Sequence, residues 1–299
     1  MTLGFRGFRS LRPLGLGIGA LACLATSACA TTLPSLPGSR PDAPAVEMAT
    51  NEAPTYADLV TFALLAELVA IVTVDDQTTF PPERAPDVAP GRARLYIESL
   101  TRNLLTSPTG VGGELIFVTD IDREADGDVP DIEERNYIIF ADLVPGRPGE
   151  VQLVSTRAFF PNGPVIEERV RRVLQQLASA SVPPAITGVR DVISIEGNLA
   201  GESETQMFIE TASGAPVSLS VIRRPGQAPQ WGVSLGEIVD SAARAPEPET
   251  LAWYRFACFL PRELPQDAFL QDEAVAQQRA RADYAYVLDQ LGPCERRFT

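Results

Sequence analysis

The chain contains no histidine, and all 25 of its basic residues are arginine, so lysine is missing as well. Without an imidazole there is no Ser-His-Asp triad, no histidine metal ligand and no side chain whose ordinary pKa lies near neutrality. Without a side-chain amine there is no Schiff-base lysine and no P-loop lysine. Positive charge is also scarce. The 25 arginines face 39 acidic residues, a net charge of −14. Such a surface disfavours nucleic acid and anionic lipid headgroups, both of which need a basic footprint. Cysteine is rare too, four in 299 residues with no Cys-x-x-Cys spacing, which argues against a thioredoxin-like site.

What is present begins at the N-terminus. Arg6, Arg9 and Arg12 precede an uncharged run, Pro13 to Leu24, which leads into the small residues Ala25, Thr26, Ser27, Ala28, Cys29 and Ala30. This is the layout of a secretory leader over residues 1–28. Thr26-Ser27-Ala28-Cys29 resembles a lipobox, with Thr26 where leucine is usual. Cys29 then becomes the lipidated first residue and the sole membrane attachment, tethering the protein to the outer membrane from the periplasm. The alternative is plain cleavage at Ala28-Cys29-Ala30, giving a soluble periplasmic product starting at Thr31. Removing residues 1–28 leaves 22 arginines against 39 acids, a net charge of −17. Cys23 leaves with the leader. Cys258 and Cys294 remain, an even pair in an oxidising compartment, and a disulfide is expected between them. Closing a loop of that length stabilises by about 3.5–4 kcal/mol on the chain-entropy argument.

The rest reads as α+β. Residues 29–55 are rich in proline and alanine, with no hydrophobic period, and form a flexible tether. Residues 56–162 read as a β-rich domain, an antiparallel barrel or sandwich of OB-like pattern with about five strands. A short helix at Ala57 to Ala66 runs into a buried strand at Leu68 to Val74; that apolar stretch is too short to span a membrane, and Glu67 interrupts it. Ala93, Leu95, Ile97 and Ser99 alternate with Arg94, Tyr96 and Glu98, the period of a half-buried strand. Residues 163–244 read as a helix-plus-antiparallel-sheet layer. The helix starts at Pro164 with Ile166, Val170, Val173, Leu174 and Leu177 on one face, packed on a meander of four strands. Residues 245–299 read as C-terminal helices stapled by the Cys258–Cys294 disulfide.

Few motifs carry chemistry. Asp122, Glu124, Asp126, Asp128 and Glu133 surround Gly127 in the spacing of a calcium loop, and an exported protein meets enough calcium for a weak site. The flanking segments read as strands rather than helices, so a solvated acidic hairpin loop is the competing account. Gly232-Val-Ser234-Leu-Gly236 matches a nucleophile elbow, but no imidazole base exists to activate Ser234. A carboxylate pair is the mechanism that survives the exclusions, with Glu202, Glu204, Glu210, Glu237 and Asp240 as conceivable members. Arg223 and Arg224 flank a turn where they would grip an anion or face solvent. Trp231, Trp253, Tyr254 and Phe256 read as core.

Gly201 to Phe208, Pro216 to Gly226, Trp253-Tyr254-Arg255 and Leu291-Gly292-Pro293-Cys294 resemble segments of a family of alphaproteobacterial envelope proteins; over residues 56–160 the resemblance is weaker. It implies an exported, lipoprotein-like address and no activity, cofactor or catalytic residue. The expected role is non-enzymatic binding or scaffolding, with an envelope protein or a glycan as partner and no cofactor beyond weakly held calcium. A carboxylate-dependent glycan hydrolase and a calcium-stabilised binding module are the alternatives. Mass spectrometry of the protein from native membranes should find an acylated Cys29 terminus; an unmodified Thr31 terminus would assign ordinary cleavage instead.

Overall fold

The computed structural model describes residues 53–236 and 243–299; the leader, Cys29 and the tether up to residue 52 lie outside these, as do Glu237 and Asp240. Helix α1 (Tyr56–Leu65) is capped by Thr55 and buries Leu59, Val60 and Phe62. It leads into β1 (Leu68–Thr79), whose first seven residues are all buried, as an unbroken apolar run requires. The strand outlasts that run by five polar residues, because its pairing with β2 (Arg92–Thr106) continues to Thr79 opposite Leu95. In β2, Ala93, Leu95, Ile97 and Ser99 point inward, and Arg94, Tyr96 and Glu98 lie on the other face. The two-residue period is thus borne out.

Strands β3 (Glu114–Asp122), β4 (Asn136–Leu143) and β5 (Val151–Leu153) complete an antiparallel sheet in the order β3-β2-β1-β4-β5. A sixth strand, β6 (Phe159–Pro161), pairs with another stretch of β4. The sheet is not closed into a barrel. Its β3 and β5 edges approach through a single parallel bridge between Ile116 and Glu150, with Ile116 N donating to Gly149 O at 2.8 Å. Arg94 forks onto Asp120 across the β2–β3 ladder at 2.7 and 3.0 Å and clasps Asp87 with its remaining nitrogen.

Helix α2 (Pro164–Leu177) places Ile166, Val170 and Val173 inward, the face that the periodicity predicts. Their destination differs from the expectation. They join the core of the first sheet, where Phe62, Phe140 and Phe160 meet at 5.7–6.3 Å, rather than covering the meander that follows. That meander is β7 (Ile186–Glu196), β8 (Ser203–Thr211), β9 (Val217–Arg223) and β10 (Gln230–Ser234), four antiparallel strands in chain order. Helix α4 (Ala274–Leu291) covers it instead, together with part of α3 (Leu251–Phe259). An amphipathic face specifies that it must be buried, not against which sheet.

Helix α3 is shared between the two cores. Leu251 and Tyr254 enter the first, while Phe256 and the following Leu260 enter the second. Cys258, the last residue but one of α3, is bonded to Cys294 just beyond α4, with the Cα atoms 5.1 Å apart. The expected disulfide is therefore present, and it staples the C-terminal helices. Among the described residues no helix is long and apolar enough to cross a membrane.

One acid on α4 escapes any reading by periodicity. Asp283 is fully buried and accepts hydrogen bonds from Thr205 Oγ1 and Arg223 Nε. Thr205 in turn meets Ser194 Oγ at 2.8 Å, and Arg279 Nε donates to the same Ser194 oxygen at 2.9 Å. This chain fastens α4 to β7, β8 and β9. Asp283→Ala would remove one of the two partners of the buried Thr205 hydroxyl and the arginine's counter-charge. The expected cost is about 2–4 kcal/mol, read as a lower urea midpoint with unchanged slope.

Candidate functional site: a cleft between three helix starts and the C-terminal strap

The starts of α1, α2 and α3 converge, and the chain's last residues run past them. The first of these is set by Thr55 and Asp58, a reciprocal cap: Thr55 Oγ1 accepts from Asp58 N at 3.1 Å, and Asp58 Oδ2 accepts from Thr55 N at 2.9 Å. The second begins at Gly163-Pro164 without a side-chain cap, where proline's fixed φ suits the first turn. At the third, Thr250 accepts from Trp253 N, and Glu249 just before it takes a left-handed φ of 55°. A non-glycine residue there costs about 1 kcal/mol or more and turns the chain sharply into α3.

Between these starts lies a cleft of about 830 Å3. Tyr56, Trp253, Val165, Pro54, Pro161 and Pro293 supply its apolar surface. Tyr56 and Trp253 meet edge-to-face at 6.1 Å, and each polar tip is held: Tyr56 donates to Gln176 Oε1 at 2.6 Å, Trp253 Nε1 to Leu291 O at 2.8 Å. Burial above all, with the nearby Glu249 charge, pushes the Tyr56 phenol well above its ordinary pKa, so it stays a neutral donor. Arg169 spans the floor from Pro54 O to Glu249, and Arg297 reaches Ala53 O at 3.3 Å. Trp253 is thus only half buried. It fills one wall of an open site instead of lying wholly in the core, as the sequence reading had it.

The fourth wall is a C-terminal strap, residues 295–299, and Asp58 holds it. Asp58 is fully buried, yet among the described residues no arginine side chain forms a salt bridge with it. Its oxygens instead accept Arg297 N and Phe298 N at 3.1 Å and the Thr299 hydroxyl at 3.1 Å, besides the helix cap. Thr55 Oγ1 lies 2.8 Å from both Asp58 Oδ2 and Glu295 O. Phe298 packs edge-on against Phe160 at 5.1 Å, with Arg157 over its other side at 4.5 Å. Burial on its own would raise the Asp58 pKa; the backbone N–H groups of Thr55, Phe298 and Arg297 outweigh it and hold the carboxyl below its usual value. The Thr55-x-x-Asp58 spacing is the sequence signal that could have marked this helix start. Nothing in the sequence announced the strap.

The sites suggested by motif are placed elsewhere. In the 122–133 segment, Asp122 pairs with Arg92 at 2.9 Å, Asp126 accepts from Asp128 N, and Arg123 crosses to Gly127 O. Glu124 and Asp128 are joined through their backbones, and Glu133 N is held by Asp131. The structure does not bring Asp122, Glu124, Asp126, Asp128 and Glu133 to one point; among the described residues no group of three or more acidic or cysteine side chains converges as a metal site. Ser234 sits in regular β10 opposite Ser218, not at a strained elbow, and is buried. Gly232 has a packing reason: a Cβ there would lie 2.3 Å from the Ala243 backbone. Glu204 and Glu210 are exposed on β8, and Glu202 folds over Gly197. Arg223 turns inward to Asp283, while Arg224 reaches Gln230 at 3.3 Å.

No family model matches this chain, and neither does any curated protein. The cleft's chemistry is that of contact: apolar faces, charge-balanced arginines and acids, and a hydroxyl, Thr55, committed to Asp58 and Glu295. Because its folded pKa is depressed, Asp58 contributes stability above the unfolded value of 3.8, and that contribution is lost as pH falls through the lower folded value. Asp58→Asn should therefore cost about 2–3 kcal/mol at pH 7, with the gap to wild type closing at acid pH. Urea titrations of both proteins from pH 7 to 3 measure it.

Proposed function

We propose that this is an exported periplasmic protein, anchored to the outer membrane through lipidated Cys29, that binds an extended segment of another envelope protein in the cleft. The cleft carries the binding part of this reading. Its volume and its proline, tyrosine and tryptophan lining suit an apolar or proline-containing stretch of polypeptide, since such grooves dock chains already extended in solution. The apolar, proline-rich walls favour peptide over glycan, whose hydroxyls need a row of polar partners. Export is supported by the arginine-then-apolar leader and by an intramolecular disulfide, which persists in oxidising compartments.

The reaction classes excluded by composition point the same way. With no imidazole and no amine, and with the acidic side chains of β8 facing solvent, contact is the role the geometry supports best. A photoreactive residue at Val165, exposed at the cleft mouth, should crosslink a specific envelope protein in living cells, whereas one at Glu98 on the far strand β2 should not. Trp253→Ala should weaken that capture by about tenfold or more, the usual loss for a buried aromatic anchor. Equal crosslinking from both positions would remove the cleft from the proposal.

A further inference from the structure

Cys258 and Cys294 are partly buried against the first core, and both line a surface depression of about 240 Å3 together with Arg262 and Arg296. Both arginines are exposed, and the Arg296 guanidinium is held in place over the Tyr254 and Phe259 rings at 6.0 and 5.7 Å. A purely structural staple is usually buried and inert. This one lines a surface depression that it shares with two arginines, whose positive charge favours a sulfur leaving as an anion.

What the bridge holds gives the accessibility a consequence. Immediately beyond Cys294 comes the strap, whose backbone closes on Asp58 and whose Phe298 fills the slot against Phe160. Pro293, Glu295 and Arg297 are at the same time one wall of the cleft. The strap is therefore pinned at two points, by the disulfide at its root and by Asp58 near its end. Chain closure by the bridge raises the local concentration of the strap at Asp58; without it, the last residues must be ordered from a freely moving tail.

We infer that the Cys258–Cys294 disulfide is a reducible site for a dithiol, and that its reduction loosens the strap and opens the cleft. This rests on the reading of the cleft as a binding site. One thiolate of the reductant attacks either sulfur of the bridge, forming a mixed disulfide while the other sulfur leaves as thiolate beside Arg262 and Arg296. The second thiol of the reductant then displaces the first protein sulfur. The reductant ends as a cyclic disulfide, and the protein gains two electrons and two protons as two thiols. A periplasmic dithiol oxidoreductase has the required chemistry.

The test uses the mature full chain under native conditions, with dithiothreitol as reductant, alkylation and mass spectrometry as the clock, and amide exchange as the structural readout. Reduction should proceed without denaturant. Arg262→Gln with Arg296→Gln should slow it by about a few-fold, because the leaving thiolate loses its neighbouring positive charges. After reduction the amides of Arg297 and Phe298 should exchange at least about tenfold faster, as expected for a locally released segment, while those of Ile138 to Ala141 stay protected. Reduction occurring only at the rate of global unfolding would overturn the inference. So would unchanged protection at Arg297 and Phe298, or loss of protection in β4 as well. Crosslinking from Val165 separates the two readings: if it fails in both redox states while the strap amides respond, the cleft reading falls and the latch stands.

Discussion

A carboxylate removed from water must find donors or lose its charge, and Asp58 finds them on two parts of the chain 240 residues apart. It closes the first turn of α1 through Thr55, and it gathers the backbone of Arg297 and Phe298. Three of its donors, the N–H groups of Thr55, Arg297 and Phe298, are main-chain groups, which cannot be rotated away. The acid therefore dictates the path of the strap as well as the start of the helix. Tyr56 and Ala57 are placed by the same turn, so the cleft inherits its geometry from this one desolvated group. Charge-assisted bonds to backbone N–H are about twice as strong as neutral ones, which is why one short acidic side chain can hold two segments of backbone together.

Asp283 performs the corresponding task for the second core with different partners. There the charge is met by Arg223 and by a buried line of hydroxyls through Thr205 and Ser194. Arginine as the sole basic residue suits this arrangement: its rigid fork reaches two acceptors at once, as Arg94 does with Asp120 and Asp87. Between the two cores, α3 gives Leu251 and Tyr254 to one and Phe256 to the other. The disulfide lies on that shared helix, so covalent closure, strap and cleft form one connected corner of the molecule.

Local pattern carried much of the fold. The alternation from Ala93 to Ser99 identified a strand and its buried face correctly, because a two-residue period has no other physical cause. The α2 face and the Cys258–Cys294 pair were equally readable. The β1 extension past Val74 was not, since polar residues there are held by cross-strand pairing with β2 rather than by burial. Nor was the sheet that α2 covers. The motif matches illustrate the opposite failure: Gly232 satisfied a nucleophile-elbow pattern, yet its lack of a side chain serves the close passage of Ala243. Trp253 packs against both cores, as its aromatic character suggests, and at the same time forms a cleft wall that no spacing encodes.

Composition alone determined which chemistries this protein lacks, since an imidazole or amine absent from the chain is absent from every conformation of it. Periodicity determined which residues must avoid water, because burial of apolar surface is favourable wherever it happens. Tertiary structure alone decided which acids lose all contact with water and are directed toward donors, Asp58 and Asp283 among the described residues. Aspartates look alike in sequence. Only the folded surroundings, by removing water from Asp58 and Asp283 and supplying N–H and guanidinium groups in its place, made these two the points on which the cleft and the second core depend.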